Sequence, residues 1–421
     1  MKTPLLAKNL VLLSALGTAI VFALSTDAPE ADGSWKTKQI SRFFWAEGAA
    51  AADVDRDGHE DILSGPYWYA GPDFTKSHLI YSAEKTFSKT DADGNTEEIA
   101  GYEGVLGSKN EYSHNFISLS HDFNADGFPD YLVVGLPGEA TFWYKNPGKD
   151  GGEKWQKYLA LAVTDNESPQ LRDVDGDGHP DLLAMSGGTI GYASFDPKNP
   201  EKEWVWHAVS PKNTDTYQRY THGIGLADIN KDGRGDILEQ AGWWEQPADW
   251  DGKTPWKRHD VDFGKGGAQM HGYDVNNDGR TDVITSISAH EWGLAWFEQN
   301  EDGTWKRHLL TDTPDEKGST GVAFSQAHAI ELADLDGDGS LDIITGKRFW
   351  AHGPNGDPEP SATPVLYSFL LKRDGEKVHY EAKIISDRSG AGTNFTVKDM
   401  TGDGKPDIIT ANKLGVYLHT Q

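Results

Sequence analysis

A nine-residue acidic pattern, Asp-x-(Asp/Asn/Thr)-x-Asp-Gly-x-x-Asp, recurs seven times along this 421-residue chain. Its first, third, fifth and ninth positions are filled as follows. The first three copies carry Asp53, Asp55, Asp57 and Asp61; Asp122, Asn124, Asp126 and Asp130; Asp173, Asp175, Asp177 and Asp181. The next two carry Asp228, Asn230, Asp232 and Asp236; Asp274, Asn276, Asp278 and Asp282. The last two carry Asp334, Asp336, Asp338 and Asp342; Asp399, Thr401, Asp403 and Asp407. Copies start 46 to 69 residues apart. A unit of that size cannot bury a core alone, so a repeat of this kind stacks its units into one larger body.

The side chains of the pattern suit a hard cation. Oxygen donors at alternate positions, with a turn-forming Gly at position six, match a site for calcium. An EF-hand shares the opening residues but needs a bidentate Glu at position twelve and flanking helices. Position twelve here is Ser64, Val133, Ala184, Glu239, Thr285, Thr345 and Thr410, and the flanks are β-branched and aromatic. The EF-hand is therefore rejected. Calcium is expected to be structural, with up to seven ions.

Around each acidic loop the chain shows four short apolar or alternating runs. One such set is Gly223–Ala227, the run after Asp236, Trp243-Trp244 and Trp256–Val261. Four strands per repeat specify an all-β blade, and seven blades a propeller. The chain ends on Gly415–Leu418, which matches a third strand, while Trp35–Ile40 matches a fourth strand with no partners. The two pieces are expected to share one blade, so that the N-terminal outer strand closes the ring. Residues 35–421 then form one seven-bladed propeller with a calcium loop in each blade.

The remaining composition narrows the setting. Acidic residues number 66 against 39 basic ones, and 24 of the 66 stand in the loop positions named above. The net charge of −27 argues against nucleic acid or an anionic membrane surface as partner. No cysteine is present, so neither disulfides nor thiolate metal sites exist. Residues 1–25 read as a secretory signal peptide: Lys2 and Lys8 precede an apolar stretch from Leu10 to Leu24, followed by a short linker, 26–34. That stretch falls short of the ~20 residues of a spanning helix. A secreted or periplasmic protein without stable membrane insertion is expected, with an uncleaved anchor as the alternative.

The loops joining strands one and two all lie on one face, so a ligand site is expected at the opposite channel mouth. His114, His222, His271 and His328 stand at or just before the first strands, where Glu47, Gln170 and Asn394 stand in the other blades. His290 and Trp292 lie in one loop between strands two and three, and Lys347, Arg348 and His352 in another. Arg219 and Tyr220 enter at the same face. Three such histidines could hold zinc or another divalent metal with one position open, or act as acid and base without metal. His222, His271, His328 and His290 are the catalytic candidates. His114, Trp292, Lys347, Arg348, His352, Tyr220 and Arg219 are the substrate-binding candidates. Trp292 is suited to stacking on a sugar ring; Lys347 and Arg348 pair either with a substrate carboxylate or with local acids. Thr86–Lys109 and Thr311–Gln326 are long entry segments at this face.

The acidic loops and aromatic strands of residues 35–421 resemble the FG-GAP/VCBS-type repeat propellers. Two segments resemble the propeller domain of fungal aldos-2-ulose dehydratase and its bacterial relatives. They are His222–Asp228 followed by Gly242–Pro247, and Thr345–His352. That resemblance implies metal-dependent elimination of water from a keto-sugar such as 1,5-anhydrofructose. The cupin and lectin-like domains of the fungal enzyme have no counterpart in these 421 residues. The expected function is a carbon–oxygen lyase acting by β-elimination on a keto-sugar or uronic-acid-type carbohydrate. The alternative is a propeller that binds a carbohydrate, small molecule or protein without catalysis, as adhesion receptors do.

Overall fold

The computed structural model describes residues 34–82, 112–152, 154–375 and 377–421, together with the backbone of strands Thr86–Thr90 and Thr96–Ala100. The expected signal peptide and most of Thr86–Lys109 lie outside the described residues. No helix among those residues is long and apolar enough to cross a membrane.

The described residues form an all-β propeller-like arrangement with two short 3-10 turns. Five sheets have four antiparallel strands each. A sixth has eight strands, because Ile224–Ala227 and Gln269–Tyr273 pair in parallel and join two meanders. A hairpin of Thr86–Thr90 with Thr96–Ala100 stands apart. The first strands neighbour one another around the centre: Ala50–Ala52 lies beside both Ile117–His121 and Thr396–Lys398. Strand Lys36–Ser41 pairs antiparallel with the last strand, Gly415–Thr420, in register from Lys36 opposite Thr420. The N-terminal outer strand thus covers what would be an open edge, where unpaired N–H and C=O groups invite aggregation.

Second strands are buried almost end to end, and continuously in Asp130–Val134, Asp342–Lys347 and Asp407–Asn412. Such strands sit between neighbouring sheets, so both faces are apolar. Third strands carry the large aromatics, and fourth strands answer with rings laid on them. His259 stacks on Trp243 at 3.9 Å, His308 on Trp296 at 4.0 Å, His78 on Trp68 at 4.2 Å and Tyr158 on Trp143 at 4.8 Å. His259 and His308 also reach Glu245 and Glu298 at 2.7 and 2.8 Å. These outer histidines are packing residues, as their cross-strand positions require.

The acidic loops join first to second strands in all seven repeats. The ninth residue is buried in each. Its Oδ2 accepts the backbone N–H of the second loop residue, from 2.7 Å at Val54 to 3.0 Å at Phe123, Ile229 and Val275. In five loops its other oxygen accepts an N–H at the end of the third strand: Gly71, Asn146, Gln246, Gln299 and Leu371. Only a carboxylate offers both acceptors here, so the ninth Asp staples loop to sheet. Burial pushes these carboxyls up, Asp130 to about 8 and Asp61 to about 7. The sixth residue is Gly throughout, with φ of 83 to 92° at Gly404 and Gly58, and its N–H donates to the first Asp. Only Gly adopts that left-handed conformation without strain.

Candidate functional site

Four titratable side chains from four separate repeats meet at the centre of the arrangement. Glu167 precedes the first strand Gln170–Arg172, and His222 precedes Ile224–Ala227. His328 lies on Ala327–Ala333, and His290 lies in the loop between Asp282–Ser286 and Leu294–Gln299. Each offers one donor atom, and all four lie within 4.8 Å of one another. His222 Nε2 is 3.0 Å from His290 Nε2 and 3.3 Å from His328 Nε2. Glu167 Oε2 is 3.0 Å from His328 Nε2 and 3.3 Å from His222 Nε2.

Those separations test the group as a metal centre. Donors about 2.0–2.1 Å from a tetrahedral ion stand roughly 3.3 Å apart. Four contacts fall at or just inside that edge length and the other two pairs lie within 4.8 Å, so three histidines and one carboxylate stand close enough to share one ion. Their ionisation fits as well, since a metal takes neutral imidazole and ionised carboxylate. Burial, then the nearby Arg348 charge, holds His328 well below its ordinary value and keeps it neutral. Burial alone would push the Glu167 carboxyl up; hydrogen bonds from His222 and His328 outweigh it and hold it well below the usual range. His328 is fully buried, whereas His222 and His290 are partly exposed, so the group opens to solvent on their side.

A second group adjoins the first through the same His290 ring. His290 Nδ1 is 3.5 Å from Asp357 Oδ2, an ion-pair distance and longer than a good hydrogen bond. His352 Nδ1 is 2.8 Å from the same oxygen and lies over the His290 ring at 4.6 Å. A carboxylate accepts only, so Nδ1 of His352 carries a proton. His352 is 40% exposed.

The other candidates are distributed differently. His271 stands apart from the group: it is buried, its Nε2 donates to Ile330 O at 2.9 Å, and burial lowers its pKa to about 4. His114 is 47% exposed and pairs with Glu139 at 3.0 Å. Both line a cavity of about 490 Å³ that none of the four grouped residues lines. Lys347 and Arg348 lie beneath the mouth and are 1% exposed. Lys347 Nζ donates to Ser325 Oγ at 2.8 Å, and burial lowers its pKa to about 8. Arg348 stands between Glu47 and Glu167, at 3.3 and 3.7 Å. Neither side chain is placed to meet a ligand at the surface, so the local-acid alternative describes Arg348. Trp292 is half-buried beside His290. Tyr220 is 55% exposed two residues before His222, with the Arg219 guanidinium 6.0 Å from its ring.

Glu167 and Asp357 are the two group members that counting from the acidic loops misses. Counting back from the first strand finds Glu167, because Glu47, His114 and Glu167 each stand three residues before a strand and His222 two. Asp357 lies in a long connection where no periodicity fixes its place.

In the acidic loops, three carboxylates come within 4.8 Å of one another in three copies: Asp53, Asp55 and Asp57; Asp173, Asp175 and Asp181; Asp334, Asp336 and Asp342. Basic side chains also meet loop acids, those of the Asp334 copy among them. Arg234 pairs with Asp232, Arg280 with Asp278, and Lys372 with Asp336 and Asp338.

Residues 122–184 and 274–345 match the FG-GAP-like repeat family. Human phosphatidylinositol-glycan-specific phospholipase D is 30% identical over 162 residues, covering 35% of this chain and 19% of that protein. Integrin alpha pat-2 of Caenorhabditis briggsae is 24% identical over 251 residues, covering 56% of this chain and 17% of that one. The chain thus spans about a fifth of the length of these relatives. Among solved structures, an Agrocybe aegerita lectin specific for non-reducing terminal N-acetylglucosamine is similar with a TM-score of 0.43 and 18% identity. That match covers 70% of this chain and 73% of the lectin. The rhamnogalacturonan lyase YesW is similar with a TM-score of 0.42 and 13% identity, covering 92% of this chain and 72% of the lyase. This chain carries FG-GAP-like repeats on an all-β, propeller-like arrangement.

Proposed function

We propose that this protein is an exported, metal-assisted carbohydrate lyase of the dehydratase type, working at the group of Glu167, His222, His290 and His328. The observation that carries the proposal is the convergence of three imidazoles and one carboxylate, whose donor atoms all lie within 4.8 Å of one another. A divalent ion held there would act as a Lewis acid toward a substrate carbonyl or carboxylate. The residues around it supply the rest. His352, with Nδ1–H given to Asp357, offers Nε2 to accept the proton beside the carbonyl. The electron pair forms the carbon–carbon double bond as the β carbon–oxygen bond breaks, and the departing hydroxide leaves as water with a proton equivalent to the one His352 took, so the base is neutral again at the end. Tyr220 and the half-buried Trp292 give apolar faces for a sugar ring at the rim.

The same proposal takes the eight-stranded sheet as two blades, giving seven in all, with calcium in the acidic loops. Support comes from two meanders of four strands joined only through first-strand pairing, and from the solvent-facing carboxylates of the loops. Export to a calcium-rich space accords with the N-terminal segment and the lack of cysteine.

The test is a screen of keto-sugars and acidic polysaccharides for a rise in ultraviolet absorbance, with and without chelator, alongside metal analysis. An absorbance rise that is lost on chelation and restored by zinc or a similar ion is expected. A protein that binds the saccharide but never changes it would support the non-catalytic binder, for which the exposed Tyr220 would be the contact.

A further inference from the structure

We infer that one connection, Arg348 to Asp357, supplies the outer shell of the central group, with Arg348 positioning Glu167 and Asp357 positioning His290. This rests on the metal reading proposed above. Ligands alone do not fix a metal site; partners behind them set ring orientation, tautomer and lone-pair direction.

Arg348 meets the requirements for the carboxylate. Its guanidinium lies between Glu47 and Glu167, at 3.3 Å from Oε2 of the first and 3.7 Å from Oε2 of the second. The rings of Tyr112 and Phe116 face it at 4.9 and 5.3 Å. Its backbone N–H donates to Gln326 O at 2.9 Å. A buried, always-charged fork in that place restrains where the Glu167 Oε2 that meets His222 and His328 can lie. The residue therefore acts through Glu167 and not on a ligand.

Asp357 meets them for the imidazole. Its side chain is buried and faces Nδ1 of His290 at 3.5 Å, while His290 Nε2 points to His222 at 3.0 Å. The negative charge facing Nδ1 at 3.5 Å favours a proton on that nitrogen, which leaves the lone pair of a neutral ring on Nε2, the atom that faces the group.

The connection is built to hold both residues still. Lys413 Nζ donates to Trp350 O at 2.9 Å and Ala351 O at 3.1 Å. Ser325 Oγ and Gln326 Nε2 both donate to Pro358 O, at 2.8 and 3.1 Å, and Lys347 Nζ donates to Ser325. Trp350 holds φ of 56°, a conformation that costs a bulky residue energy and persists only where surroundings enforce it. Lys413, Ser325 and Gln326, with Lys347 behind Ser325, thus anchor a connection that brings Arg348 to Glu167 and Asp357 to His290.

The experiment measures zinc and cobalt(II) affinity of the full chain by competition with a chromophoric chelator, in excess calcium. Wild type, Arg348→Met, Arg348→Lys, Asp357→Asn and Glu167→Gln are compared, with His259→Gln on the outer rim as control. One equivalent should bind to wild type. Arg348→Met and Asp357→Asn should each weaken it about 10- to 100-fold and shift the cobalt(II) visible spectrum. Arg348→Lys, which keeps the charge, should recover part of the affinity and decides the question if the Met variant fails to fold. Wild-type affinity and spectrum in both outer-shell variants would overturn the inference and leave the metal reading standing. Wild type that binds neither metal would overturn the metal reading itself. Two equivalents, with the second lost in Asp357→Asn alone, would also overturn it, since Asp357 would then be a ligand.

Discussion

His328 Nε2 and Glu167 Oε2 meet at 3.0 Å although 161 positions separate them in the chain. The pair is buried, and neither residue has an apolar explanation. If they are metal ligands, His328→Ala or Glu167→Gln should lower transition-metal affinity by at least 100-fold and abolish lyase turnover. Calorimetric titration with zinc checks this; unchanged affinity in both variants would sink the metal centre.

The ninth Asp of each loop accepts two backbone N–H groups where the third strand ends nearby. Asp130→Ala strands the N–H groups of Phe123 and Asn146 in a buried place. The expected loss is about 2–4 kcal/mol. Urea unfolding should show it as a lower midpoint, with or without calcium.

Calcium should not fill the loops equally. Among the described residues no basic side chain pairs with the clustered acids of the Asp53 and Asp173 loops, whereas Arg234, Arg280 and Lys372 meet acids in three others. Equilibrium dialysis should resolve tight and weak classes, and chelation should lower the thermal midpoint. A tight site at a hundredfold excess over its Kd stabilises by about 2.7 kcal/mol. Seven identical sites would contradict the pairing seen in the loops.

Acid should remove the contribution of two buried histidines, while the raised loop carboxyls respond in the opposite sense. Burial lowers His271 to about 4 and His419 to about 3. Each binds a proton more readily unfolded than folded. Their stabilisation is therefore fully present above the ordinary imidazole pKa of about 6.5 and is lost as pH falls toward 4. His271 alone represents on the order of 3 kcal/mol. His419 lies 3.0 Å from Thr37 Oγ1, so hydrogen exchange in strand Lys36–Ser41 should accelerate in that window. His419→Gln should flatten the dependence.

Tyr220 pairs a left-handed φ of 69° with an exposed ring. Tyr220→Asn tolerates that backbone and removes the ring. Stability should stay within about 1 kcal/mol of wild type while saccharide affinity falls roughly tenfold. Isothermal titration with the best substrate from the screen measures both arms when combined with thermal unfolding.

The sequence by itself determined the repeat, the strand order around each acidic loop and the pairing of the N-terminal strand with the last. These follow from local rules: a Gly where φ must be positive, an Asp where two N–H groups need one acceptor, an apolar run where a strand is covered on both faces. Legibility ended at the centre. His222, His290 and His328 were visible as residues at strand entries and loops, but His271 looked equivalent and only its side-chain direction removes it. Asp357 was hidden because acids are common in this chain and no periodicity fixes its place, while Glu167 shows itself only once the first strand is located. The site is assembled by residues that share no local motif. Which of them meet depends on how far each repeat turns about the common axis and how deep each entry segment reaches into the channel. The sum of packing over all the sheets decides that; no nine-residue pattern does.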